Sequence, residues 1–342
     1  MMPINTEKAI NQLSKEGLVK DISISVFKKN KYIEDFEKLN ESDLFHIFSA
    51  GKPFIASVLW KLYEKKIIDF DDPISKFWPE FGKKNKQNIT IKHVLTHSSG
   101  ISITSSLLDH DYIDLNRVCR WIENYEPESN PGEKISYHEV TYGWILGEII
   151  QRITNKTFNE NFNEYVANPL GLESTNFTLE GKKFPKEVYR HESSELKTIP
   201  SIFKLLLINK IPMISGTCIS TSYDLAKFYN ELINNDKWLN KKIKKEVTRV
   251  HKEGNDHNSE LKFTRLGLGV RINSKIINID DSISNSETFG HSGLVSCVGL
   301  ASYDQNISLA ILNNLLLSDQ LNEHRMRTII SAIIMDIDRM KI

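Results

Sequence analysis

What most limits the fold is where the strand-forming stretches fall. Ile22-Ser23-Ile24-Ser25-Val26-Phe27 alternates apolar and polar side chains, turns at Lys29-Asn30-Lys31 and resumes at Tyr32, the pattern of a hairpin at the edge of an antiparallel sheet. The other strand-like runs lie almost the whole chain away, at residues 266–272, 295–303 and 307–312, with Tyr303-Asp304-Gln305-Asn306 as the turn joining the last two. Strands at both ends with helices between them call for one sheet assembled from distant sequence. The intervening residues 71–209 carry short helical patterns and polar turns, with Pro73 and Pro79 as early breaks. We therefore expect an α/β fold: an antiparallel sheet flanked by helices, formed by residues 1–70 and 210–342, with residues 71–209 inserted as a mainly helical lobe. Together these make one catalytic domain with a cleft at the junction. Residues 6–16 and 321–340 read as helices at the two ends.

Composition restricts the partners. With 342 residues, 40% hydrophobic and 26% charged, the chain can bury a substantial core. Its 44 basic residues balance 44 acidic ones, so no overall field recruits nucleic acid or an anionic membrane. The lysine runs Lys83-Lys84-Asn85-Lys86 and Lys241, Lys242, Lys244, Lys245 lack aromatic interleaving and read as solvated segments. Cys119, Cys218 and Cys297 form no CxxC pair, which argues against a disulfide scaffold or a thiolate metal site. Residues 1–20 have no apolar signal core, and no stretch is long enough to span a bilayer. The expectation is a cytoplasmic protein acting on a small molecule, with no nucleic-acid or membrane partner.

Three stretches carry chemistry. In Phe48-Ser49-Ala50-Gly51-Lys52-Pro53-Phe54, a serine and a lysine stand three residues apart, one turn above the other on a helix. Desolvation in the apolar run that follows favours the neutral amine needed to relieve Ser49 of its proton. Free N–H groups at the helix start would favour a developing oxyanion. A capping serine followed by a surface lysine is the ordinary alternative. The second stretch is Pro131-Gly132-Glu133-Lys134-Ile135-Ser136-Tyr137-His138-Glu139, leading into a helix near Thr141 whose Gly143 and Gly147 are spaced for close packing. The third is Phe289-Gly290-His291-Ser292-Gly293-Leu294-Val295, placed at the start of a strand, where small residues let the backbone approach a ligand. It is not a Gly-x-Ser-x-Gly elbow, because Leu294 stands two past Ser292.

Ser49-x-x-Lys52, Tyr137-His138-Glu139 and His291-Ser292-Gly293, in that order, resemble the three motifs of the serine β-lactamase and penicillin-binding-protein superfamily, nearest to class C β-lactamase-like esterases. The likeness runs over roughly residues 20–335 and takes in Thr90-Ile91-Lys92-His93-Val94-Leu95-Thr96-His97-Ser98-Ser99-Gly100 and Asn168-Pro169-Leu170-Gly171-Leu172. It implies Ser49 as acylated nucleophile, Lys52 as the group assisting its deprotonation and Tyr137 as partner base. It also implies the N–H groups of Ser49 and Leu294 as oxyanion hole, with His138, Glu139, His291, Ser292 and Gly293 as substrate contacts. No cofactor or metal is called for. His93 and His97 share a helical spacing but lack a third ligand. Two departures stand out. Glu139 occupies a position where many members have asparagine, and His291 one where penicillin-processing members carry lysine; both favour uncharged esters. The expected reaction is hydrolysis of small carboxylic esters. Transfer to a small-molecule alcohol, β-lactamase or D-amino-acid peptidase activity, or a catalytically silent binding protein are the alternatives. Oligomeric state is not legible.

Overall fold

The computed structural model describes residues 3–36, 43–102, 115–179, 183–195, 213–258, 263–273 and 287–340. The boundary drawn at residue 209 lies outside these. In chain order the strands are β1 (Ile22–Lys28), β2 (Lys31–Tyr32), β3 (Phe45–His46), β4 (Tyr189–Arg190), β5 (Ile219–Ser220), β6 (Lys252–Asn255), β7 (Phe263–Leu266), β8 (Arg271–Ile272), β9 (Thr288–Ser292), β10 (Val298–Ser302), β11 (Ile307–Asn313) and β12 (Leu315–Leu316). Eight of them form an antiparallel sheet in the order β2-β1-β11-β10-β9-β8-β7-β6. The expected α/β fold is present, with its sheet joined from the two ends of the chain.

As expected, the β1–β2 hairpin lies at one edge of the sheet: β11 pairs with β1 from Ile22↔Asn313 to Lys28↔Ile307, and β2 pairs with it at Phe27 and Lys28. The exposed edge falls to the two-residue β2, and both faces of β1 are covered. Ile24 and Val26 pack in one core with Leu13, Leu300, Ile311 and Ile330. Ser23 and Ser25 face the opposite core, and each Oγ meets the Ser222 hydroxyl, at 2.7 and 2.8 Å. The alternation thus sets apolar side chains against one layer and paired hydroxyls against the other, since a buried hydroxyl must find a partner.

The layer on the Ile24 side is made by α1 (Ile4–Lys15) and the C-terminal helix Asp319–Arg339. Asp336 of the latter accepts the backbone N–H groups of Asn5 and Thr6, at 3.1 and 2.8 Å, and so caps the first turn of α1 from across the interface. On the opposite face lie α2 (Lys52–Glu64), α3 (Ile91–Leu95), α4 (Leu115–Asn124) and α5 (Thr141–Thr154), with the helix Ser222–Asn234 directly against the sheet. Phe54, Trp60, Tyr142 and Phe228 are fully buried in this second core.

Two strand readings change. Residues 266–272 are a tight β7–β8 hairpin rather than one strand, since Gly269 takes φ +94° and the Gly267 N–H donates to the Val270 carbonyl at 2.9 Å. The 295–303 strand starts at Val298, because Ser296 adopts φ +62° in a turn that closes on Gly293.

Candidate active site

The serine lies just ahead of α2, in a 3-10 turn, Phe48–Gly51. Three residues per turn eclipses positions i and i+3, so Lys52 stands over Ser49 more closely than an α-helix would place it. Pro53 enters in the first turn of α2, where its missing N–H costs nothing. Phe48 holds the turn with φ +48°, a left-handed conformation that a phenylalanine adopts only when its surroundings impose it, at a cost of about 1–3 kcal/mol. Lys52 is fully buried, and its Nζ donates to Ser49 Oγ at 3.0 Å and to the Glu139 carbonyl at 2.7 Å. The same Nζ lies 4.8 Å from the centre of the Tyr137 ring.

Tyr137 sits on the loop before α5. Its N–H donates to Asp256 Oδ1 at 3.0 Å, and its ring packs on His97 with centroids 4.6 Å apart. Its hydroxyl has no hydrogen-bond partner among the described residues. His138 does not face the cleft. The His138 ring is fully buried and held by Ser99 Oγ at 2.5 Å and the Ser136 carbonyl at 2.6 Å, while its N–H reaches His97 Nδ1 at 3.1 Å. Neighbouring residues in an extended segment point to opposite sides, so Tyr137 in the cleft turns His138 away from it. Burial lowers the His138 pKa to about 4, and it drives that of His97 far down, with His138 and Lys52 adding to the effect. Both rings are therefore neutral, and they brace the tyrosine loop. Glu139 is likewise displaced from its expected role: its side chain is exposed, and it meets the site through the carbonyl that accepts from Lys52. His93 is committed elsewhere, accepting the Thr90 N–H in a capping box at the start of α3.

The third motif closes the site from the end of β9, not from the start of a strand. His291 is buried, its Nδ1 lies 2.8 Å from the Ser292 carbonyl, and its ring centre is 6.1 Å from that of Tyr137. Burial first, then Arg271, pushes the His291 pKa well below the ordinary histidine value, so it stands here as an uncharged group. Half-buried Ser292 ends the strand. At Gly293 the chain passes so close to the nucleophile turn that a Cβ would meet the Ile47 carbonyl oxygen at 2.1 Å. The Gly293 N–H is already used, donating to the Cys297 carbonyl at 2.7 Å. Among the described residues no acceptor meets the N–H of Leu294 or of Ser49. The turn is latched by Asn313 Nδ2 on the Ser296 carbonyl at 3.1 Å and by buried Arg325 on that of Val295 at 3.4 Å.

The structure thus gathers Ser49, Lys52, Tyr137, His291 and Gly293 at one junction, and adds two residues that the sequence reading left out. Asp256, on the segment after β6, fixes the Tyr137 backbone. Arg271 of β8 places its guanidinium carbon 5.1 Å from the Tyr137 ring centre. Neither carries a motif signal; Arg271 arrives through its pairing with Gly290, next to His291.

The fold, together with a family match along nearly the whole chain, places the protein in the β-lactamase and penicillin-binding-protein superfamily. The chain belongs to the Beta-lactamase family, whose model matches residues 6–332. It is similar to the esterase/beta-lactamase LipL of Mycobacterium tuberculosis, 30% identical over 130 residues, a stretch that covers 37% of this chain and 29% of that protein. The chain spans half or less of the length of the curated relatives it matches. Among solved structures it resembles a family VIII carboxylesterase, with TM-score 0.78 at 20% identity over 96% of each chain. It also resembles a D-amino acid amidase of Ochrobactrum anthropi, with TM-score 0.75 at 18% identity over 96% of this chain and 97% of that one. No helix among the described residues is long and apolar enough to cross a membrane.

Proposed function

We propose that the protein hydrolyses small carboxylic esters through an acyl-Ser49 intermediate. The observation that carries this reading is the contact between Lys52 Nζ and Ser49 Oγ, 3.0 Å, made by a fully buried lysine beside the face of Tyr137. Ser49 Oγ attacks the ester carbonyl while its proton passes to the Lys52–Tyr137 pair, and the tetrahedral oxyanion takes the N–H groups of Ser49 and Leu294. Collapse breaks the bond to the alcohol oxygen, which leaves with the proton. Water then attacks the acyl carbon, Tyr137 receives the water proton and returns it to Ser49 Oγ, and the carboxylic acid departs. An uncharged His291 where penicillin-processing members carry lysine supports ester hydrolysis over β-lactam or peptide cleavage, as does the likeness to a carboxylesterase. Three unpaired cysteines support a cytoplasmic setting.

The test is time-resolved intact mass of the wild type and Ser49→Ala mixed with a short-chain activated ester. A transient adduct on the wild type alone, with released acid, is expected. A folded wild type that takes no acyl group from any of several activated donors would sink the hydrolase reading in favour of a silent binding protein. A stable adduct without turnover would point to transfer onto another acceptor.

A further inference from the structure

Arg325 of the C-terminal helix is fully buried behind the oxyanion turn, and no carboxylate among the described residues pairs with it. Burial lowers its pKa to about 10, so it stays charged at neutral pH. Its donors reach neutral groups from separate parts of the chain. Nη1 donates to the carbonyls of Leu18 and Leu315, at 3.1 and 3.0 Å, and Nη2 to the Val295 carbonyl at 3.4 Å and to Asn322 Oδ1 at 3.2 Å. A desolvated cation held only by neutral acceptors is costly, and an apolar side chain of similar volume often serves stability better. The cost points to a role other than holding the fold.

That role follows from the bond to Val295. A peptide unit is planar, so the Val295 carbonyl and the Ser296 N–H turn together, as do the Gly293 carbonyl and the Leu294 N–H. The Ser296 N–H donates to the Gly293 carbonyl at 2.8 Å. Arg325 Nη2 is therefore linked to the Leu294 N–H through two peptide planes and the hydrogen bond between them. The turn needs such a hold, because Ser296 keeps φ +62°, a conformation costly for a serine. We propose that Arg325 is a positioning residue for the oxyanion hole: it aims the Leu294 N–H at the reacting carbonyl through these two planes. Its charge also strengthens that donor, since hydrogen bonds in a chain polarise one another. The inference deepens the ester-hydrolase reading and rests on it.

The experiment compares phenyl acetate with phenyl thionoacetate, in which sulfur replaces the carbonyl oxygen, on the wild type and Arg325→Met, a variant that keeps an unbranched side chain but no charge or donor. Sulfur accepts hydrogen bonds weakly, so the thionoester draws little on the hole, and the oxo-to-thiono ratio of kcat reports the donors alone. On phenyl acetate kcat should fall about 10- to 100-fold with KM within about threefold, and the ratio should fall at least about tenfold. A merely structural loss lowers both esters alike, so a ratio within about threefold of the wild type overturns the proposal. Hydrogen exchange over residues 293–297, read by mass spectrometry, needs no substrate: it should run about tenfold faster in Arg325→Met, and unchanged exchange also overturns the proposal. Should that variant not fold, Asn322→Ala removes only the side-chain acceptor that orients Nη2, from a half-buried helix position, and takes its place in both measurements. The same directions are expected of it, and an unmoved ratio is again fatal. A wild type acylated by neither ester would overturn the ester-hydrolase reading and the oxyanion role with it. Failure of the positioning role alone looks different: turnover by the wild type with a ratio indifferent to Arg325.

Discussion

Gly293→Ala tests the geometry of the oxyanion turn without removing a functional group. The added Cβ would lie 2.1 Å from the Ile47 carbonyl oxygen and 3.3 Å from the Ala50 N. Real contacts of this kind stay beyond about 3 Å, so the two backbones must separate by roughly 1 Å. Neither side yields freely. The Ile47 carbonyl accepts the Ala50 N–H at 3.0 Å inside the nucleophile turn, and Gly293 is tied to Cys297 at 2.7 Å. Whichever segment moves, the N–H groups of Ser49 and Leu294 part company. A displacement of about 1 Å at reacting groups costs about 100-fold, comparable with the loss of an oxyanion donor, roughly 10²–10³ in kcat. Overpacking should lower stability by only about 1–3 kcal/mol. The assay is kcat and KM on phenyl acetate beside a urea unfolding curve. The expected result is a protein that folds, binds the ester with little change in KM and turns it over about 100-fold more slowly. A variant within about threefold of the wild-type kcat would refute the placement of this turn in the reaction.

Lys52→Met should lower kcat/KM by on the order of 10²–10⁴-fold, measured on the same ester, because the group next to Ser49 Oγ can no longer carry a proton. Asp336→Ala removes the cap on α1 and should cost about 1–3 kcal/mol in urea unfolding while the rate of Ser49 acylation stays unchanged. Stability should also fall with acidity. His138 has its folded pKa at about 4 against about 6.5 unfolded, so above pH 6.5 neither state binds the proton, and below it the unfolded state binds first. The loss grows as pH falls towards 4 and reaches on the order of 3 kcal/mol from this ring alone. Unfolding curves across that window should show it, and His138→Gln should flatten the slope; a slope identical to the wild type would refute the assignment.

The sequence made the outline legible because β1 alternates apolar and polar residues, β11 is a seven-residue, mostly apolar run, and clear turns bound both. β9 escaped because five residues containing Gly290 carry too little periodicity. Ser49 and Lys52 were legible as a pair, since their contact is local. The errors arose where chain adjacency was taken for spatial adjacency. His138 follows Tyr137 and yet lies on the far side of the extended segment, and Glu139 reaches the site with its backbone rather than its carboxylate. Arg271 was invisible for the converse reason: only the register of β8 on β9 brings it to the tyrosine.

The pairing of β1 with β11 also sets a schedule. Asp21 donates its N–H to the side chain of Asn314, a residue 293 positions later. At about 5–20 residues per second, a ribosome needs on the order of 15–60 s to deliver the partner strand after β1 emerges. Throughout that interval Ile22-Ser23-Ile24-Ser25-Val26-Phe27 is an uncovered, β-prone segment of low charge, open to pairing with another nascent copy. Yield in expression should therefore depend on translation speed and on the chaperones that shelter this one segment, more than on the stability of the finished fold.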